Sequence, residues 1–430
     1  MKQQEEQVQT GSVPASMWNR DFSLLITGQV ISIFGNMVLS FALPLYILYI
    51  SGSAAMFGVV LGLPYISLLV MSPIGGIMAD RLKKQRIMFW LDLATTVIIV
   101  LYMALSGLFA AALPIVIVKL MALNAIQGIY MPVIQASVPA LVAADKLVPA
   151  NSAVSVVNML ASMAAPAAAG LLFDRFGLGP ILAISALCFA ITAGMDLLIR
   201  IPFKKQSAPE SVFQMVKSDL SQAFRFTVKE KPILAKIAAV AFMLNLALMA
   251  TLLVGLPVLI TQHLGMSMAM VGLNQSIMTV GGLIGGITAG ALGSRLKFRN
   301  LYRPMAISAL FTIPMGLVFL FEVPALVAYV TITAAAALIL VLVQICSIQM
   351  IAFVQEQTST ELIGKVMSIL MMLPFLANAL GMLVFGMLFE RLAALPWLVM
   401  FAVGLAAAAI AVYARAQLVV HHKETGIAQG

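Results

Sequence analysis

The feature that most constrains this chain is where its charges are missing. No Asp, Glu, Lys or Arg occurs within 22–79, 93–118, 120–144, 147–173, 176–195, 237–294, 304–321, 323–355, 366–389 or 392–414. Charged side chains make up 10% of the 430 residues and apolar ones 62%, against roughly 25% and 45–50% in soluble domains. A soluble body of this size could not cover its surface with so few charges. An ordinary water-soluble enzyme, a disordered tail and a coiled coil are all excluded, and lipid is left as the solvent.

A hydrocarbon core of roughly 30 Å takes about 20 apolar residues per helix. The two longest runs each hold two spans, parted by Ser51-Gly52-Ser53 and by Gln262-His263-Leu264-Gly265. The expected fold is therefore all-α and polytopic, with twelve spans near 22–50, 54–79, 87–109, 113–141, 150–173, 179–200, 234–262, 267–293, 304–322, 325–353, 365–389 and 395–415. If both termini are inside, 22 of the 25 Lys and Arg residues fall on the inner face, and only Lys119, Arg175 and Arg391 do not. The positive-inside rule selects that orientation, with both termini cytoplasmic. The net charge of +9 is then a topology signal with some attraction to anionic lipid, and no nucleic-acid partner is expected.

The first twenty residues are polar and the first apolar run is too long for a signal h-region, so no secretory signal peptide is expected. Cys188 and Cys346 both fall mid-span, which gives no disulfide framework. His263, His421 and His422 make no zinc spacing, and neither a metal nor an organic cofactor is expected.

The chain repeats itself. Residues 56–83 align with 270–297 at an offset of 214, matching Met56/Met270, Gly58/Gly272, Gly76/Gly290, Arg81/Arg295, Leu82/Leu296 and Lys83/Lys297. Leu43-Pro44 matches Leu256-Pro257, and Gly170-Leu-Leu-Phe-Asp174-Arg175 matches Gly386-Met-Leu-Phe-Glu390-Arg391 at 216. Two six-helix bundles are expected, 1–200 and 233–430, joined by a cytoplasmic linker over 201–232. In the linker, Val212, Phe213, Val216, Leu220 and Phe224 recur at helical spacing beside Lys217, Arg225, Lys229 and Lys231, the pattern of an amphipathic surface helix.

Specific motifs accompany this architecture. Gly76-x-x-x-Asp80-Arg81-Leu82-Lys83-Lys84-x-Arg86 resembles the signature loop of the major facilitator superfamily. Ala165-Pro166-Ala167-Ala168-Ala169-Gly170 resembles the Gly-Pro-x-x-Gly-Gly motif of drug/proton exporters. Three further stretches are similar to the macrolide-efflux-like branch of those antiporters. They are Pro132-x-x-Gln135 through Asn151-Ser152, Arg20-x-Phe22 through Gly35, and Leu362-Ile363-Gly364-Lys365-Val366. The resemblance implies two pseudo-symmetric bundles around a central cavity lined by helices 1, 4, 7 and 10. It also implies a conformational latch at Gly76, Asp80, Arg81, Lys84 and Arg86, with Pro166 and Gly170 on helix 5.

Polar groups inside lipid cost several kcal/mol unless satisfied, so mid-span polar residues are candidate binding residues. Those on helices 1 and 4 are Gln29 and Asn36, then Lys119, Asn124, Gln127 and Tyr130. The later helices add Asn245, Gln275, Gln344 and Asn378. Met is flexible and polarizable, and 29 of them suit a tolerant apolar surface. Asp92 and Asp196 are the acids inside spans and the candidates for carrying a proton. No catalytic cluster or nucleotide-binding loop occurs, so no enzyme is expected. The expectation is a monomeric, multi-pass exporter in a bacterial plasma membrane. It would move small amphipathic molecules by proton antiport, with the proton gradient as its energy source and lipid as its surroundings. In the same fold, a lysolipid, siderophore or natural-product exporter or flippase is the alternative.

Overall fold

A computed structural model describes residues 17–109, 113–202, 221–222, 224–292, 300–359 and 362–427. The expected linker helix falls largely outside these residues, as does the second copy of the basic loop around Arg295.

Among the described residues, twelve helices are long and apolar enough to span a membrane. We number them α1 (Arg20–Ser51), α2 (Ala54–Arg81), α3 (Lys84–Phe109), α4 (Leu113–Leu141), α5 (Leu147–Phe176) and α6 (Leu178–Leu198) in the first half. The second half holds α7 (Pro232–His263), α8 (Met268–Leu292), α9 (Tyr302–Leu320), α10 (Ala325–Gln357), α11 (Ile363–Arg391) and α12 (Pro396–Ile427). We call the face where α1 begins the terminal side and the face of the α1–α2 connection the distal side.

Short-range chemistry sets the helix ends. Asn19 caps α1 by accepting from the Phe22 amide at 2.9 Å, while its own amide donates to the Leu141 carbonyl at the end of α4 at 2.8 Å. Gly52 ends α1 at φ +62°, a conformation that favours glycine, and Ser53 caps α2 one residue later. α1 and α2 are thereby held antiparallel through two residues.

α7 departs from the simple span expected over 234–262. It carries π-helical turns at Asn245–Met249, Thr251–Gly255 and Leu259–His263. Pro257 lies between the last two and has no N–H for the carbonyl four residues back, and widening the turn relieves the clash of its ring with that carbonyl.

Within each half the same helix pairs pack. α2 lies on α4 and α3 on α6, with α1 against α5 and α6. The counterparts are α8 on α10, α9 on α12, and α7 against α11 and α12. Small residues set the distances, as membrane helices require. A Cβ on Gly75 would sit 2.6 Å from the Ile129 Cα, and one on Gly281 2.5 Å from the Ala337 carbonyl oxygen. The glycine of the signature motif, Gly76, does not make this approach. A helical step of about 100° turns Gly76 away from α4, and a Cβ there would meet nothing within 4 Å.

The two halves meet through α5 with α8 and α2 with α11. Gly170 meets Met268 and Gly58 meets Met382 and Gly386 towards the distal ends, while the Tyr65 ring lies 6.1 Å from Phe375 near mid-span.

Candidate transport path and coupling site

Helix periodicity puts Gln29, Ser32, Asn36 and Ser40 along one side of α1. Gln29 and Ser32 are buried, Asn36 is half-buried and Ser40 exposed, so this stripe runs from bundle interior to open space. Gln127 and Tyr130 of α4 face it: Gln29 Nε2 donates to the Tyr130 hydroxyl at 3.1 Å. Ser32, Asn36, Asp92, Thr95, Gln127 and Tyr130 close around a small cavity on the scale of a single water, with Leu123, Ile126 and Phe189 as its apolar wall.

Asp92 of α3 and Asp196 of α6 border this cluster, 1% and 3% exposed. They are close enough to interact electrostatically with each other and with Tyr130, and Thr192 lies within hydrogen-bonding reach of Asp92. One carboxyl oxygen of each, Oδ2, is buried with no hydrogen-bond partner. Neither acid has a salt bridge among the described residues. A buried carboxylate without a cation is expensive, and two within electrostatic reach of each other more so. A proton on the pair removes that cost. The sequence marked both acids but gave no sign that α3 and α6 bring them together, and it did not single out Thr95 and Thr192.

The remaining candidates lie elsewhere. Lys119 is 5% exposed and stacks on Tyr102 of α3, with Nζ 3.2 Å from the ring centroid and no hydrogen-bond partner among the described residues. It sits inside the first half near its distal end, outside the Asp92 cavity. Asn124 and Asn245 donate back to their own helices, at Leu120 and Ala241, leaving their amide oxygens available. Asn245 begins the first π turn of α7. Gln344 borders the α8–α10 contact beside Gly285, while Gln275 is half-buried on α8. Asn378 of α11 is half-buried, and its Oδ1 is buried and unpartnered. The structure thus gathers Gln29, Asn36, Gln127, Tyr130, Asp92 and Asp196 into one cluster and leaves Lys119, Asn245, Gln275, Gln344 and Asn378 apart from it.

Of the proposed latch residues, Asp80 and Arg86 are exposed on the terminal side. Arg81 and Arg86 border an open groove with Lys83 and Trp90, and Lys84 begins α3 beside it. Pro166 and Gly170 lie in the α5–α8 contact between the halves, where the Pro166 carbonyl meets Gly272 and the Gly170 backbone meets Met268.

Twelve spanning helices in two equivalent bundles, meeting along two symmetric helix pairs, define a membrane transport fold. The sequence matches the Major Facilitator Superfamily over residues 25–382, and the chain belongs to that family. No curated protein matches it. Among solved structures it is similar to the nucleoside transporter NupG, with TM-score 0.74 and 15% identity over 93% of this chain and 99% of that one. It is also similar to a bacterial metal transporter, with TM-score 0.65 and 16% identity over 93% and 98%. A D-xylose-proton symporter gives TM-score 0.68 and 12% identity over 91% and 96%. At these identities the likeness is one of fold.

Proposed function

We propose that this chain exports small amphipathic molecules across a bacterial plasma membrane by proton antiport, its two halves rocking about a substrate path between them. The observation that carries this reading is the buried Asp92–Asp196 pair beside the cavity that Asn36 and Gln127 line. A carboxyl pair without a cation partner is suited to gain and lose a proton, and the same cavity wall includes Asn36, one turn from the exposed Ser40 end of the α1 stripe where a substrate would bind. Partly exposed amides at Asn36, Asn124 and Gln127, with Asn245, Gln344 and Asn378 from the second half, offer a few hydrogen bonds within otherwise apolar walls. That combination accepts amphipathic molecules by adaptable packing. The resemblance of the helix 1 and helix 4–5 segments to macrolide-efflux-like antiporters supports the same direction of transport.

The test is movement of an amphipathic dye into inside-out proteoliposomes after their interior is acidified. Gradient-driven uptake supports the reading, and uptake unaffected by a protonophore overturns antiport. Competition by lysolipid or by an iron chelator, stronger than by macrolide, would move the substrate class to a lipid or a siderophore.

A further inference from the structure

Two carboxylates on the distal side each reach across from one half to the start of a helix in the other. Asp174, near the end of α5, accepts from the Met268 and Ala269 amides that open α8, at 3.0 and 2.8 Å. Glu390, near the end of α11, accepts from the Ala55 amide at 2.8 Å and from the Ser53 hydroxyl, at the start of α2. The first amides of a helix have no partner within it, and a carboxylate there also complements the helix dipole.

The two contacts are copies of each other. Asp174 and Glu390 are equivalent at the offset of 216, and Ala269 and Ala55 at 214. One turn from each carboxylate a glycine lets the backbones touch. A Cβ on Gly170 would lie 2.5 Å from the Met268 carbonyl oxygen, and one on Gly386 2.8 Å from that of Ala54. One turn into the capped helix the pairing recurs, as Gly272 meets the Pro166 carbonyl and Gly58 that of Met382. Each glycine pair fixes where the acid lands, and the acid binds only while the backbones are in contact.

We infer that Asp174 and Glu390 are paired positioning residues of the transport cycle, holding the distal side shut by capping α8 and α2 across the boundary between the halves. This rests on the rocking motion proposed above. Both carboxylates are exposed, so water replaces the amides when the halves part. Each cap is then worth only about a five-fold shift in the closed-to-open ratio, the scale of one helix cap. A contact of that strength closes the side and still breaks once per cycle. The symmetry also makes both helix pairs open together, since each half gives one acid and receives one.

The experiment is double electron–electron resonance between spin labels at G179C and L395C, exposed positions on the distal side of opposite halves. The background is C188S/C346A, in lipid nanodiscs. D174N and E390Q should each raise the distal-open fraction about five-fold, with the double variant near the product, about 25-fold. D174E and E390D should restore much of the closure, which shows that loss of charge and not misfolding opened the side. Folded single variants with wild-type distances would overturn the inference, and so would opening by only one of the two. If the wild-type distance stays fixed whether or not amphipathic dye is added, rocking itself fails. A wild-type distance that moves while the variants match it rejects the caps alone.

Discussion

At the scale of single residues, burial decides which polar groups carry the account. Asp92 and Asp196 are almost fully enclosed and among the described residues each keeps an oxygen unpartnered, an arrangement suited to the proton-carrying role proposed above. Asn is nearly isosteric with Asp, so D92N and D196N should fold and bind an amphipathic dye with affinity within about three-fold of wild type, less than 1 kcal/mol. Their transport should no longer respond to an imposed proton gradient, as flux measured in proteoliposomes at several internal pH values would show. A gradient response retained in both variants would remove the pair from coupling. Lys119 offers the opposite test: its ammonium rests on the Tyr102 ring, with no anion beside it among the described residues. K119M should melt no lower than wild type and leave the binding of anionic and neutral probes in the same ratio. Loss of anionic probes alone would return Lys119 to the substrate path. The sequence marked Asp92, Asp196 and Lys119 as charged groups inside spans. It could not place Lys119 on Tyr102 or Asp92 beside Asp196, because both pairings join helices whose packing no local pattern encodes.

At the scale of helices, the spans were legible because the absence of charge over about 20 residues is a strong signal. The boundaries expected from charge fall within a few residues of most helices. What was not legible is rotation. The glycine with which α2 closes on α4 is Gly75, one residue from the motif position Gly76, and only the α2–α4 contact decides between them. The π turns of α7 were hidden likewise, although Pro257 marked a point where regular hydrogen bonding had to fail. Polar contacts between helices are modest in this setting. Asn274 of α8 donates to the Thr333 hydroxyl of α10 at 2.9 Å. A double-mutant cycle of N274A with T333A should give a coupling of about 0.6 kcal/mol, and above about 1.7 would mean the bond does more than join two helices. Backbone contact costs more to disturb. G281V places methyls against the Ala337 carbonyl and should lower stability by about 1–3 kcal/mol in denaturant titration.

At the scale of the whole molecule, the offset near 214 residues anticipated the two bundles, and the structure extends it to every major helix pairing and to both contacts between the halves. Asp174 and Glu390 were visible in that repeat as matched acids, but their role was not, since a repeat shows equivalence and not what the equivalent residues touch. The substrate was not legible either, because membership of this family fixes the fold while relatives of similar shape carry nucleosides, metals and sugars. If the halves rock as rigid bodies, G58V and G272V should each obstruct distal closure and slow steady-state export at least ten-fold without abolishing dye binding. Equal slowing of binding and export would point to misfolding instead.

In an antiporter, inward proton movement drives outward substrate movement, and the two fluxes stop together. The most direct measurement reconstitutes the purified chain in inside-out vesicles with an acid interior and follows amphipathic dye and internal pH together. Antiport requires dye accumulation above equilibrium, with proton efflux that begins on dye addition and disappears in the D92N/D196N double variant. Dye that only equilibrates, or accumulates with no proton movement, would contradict it.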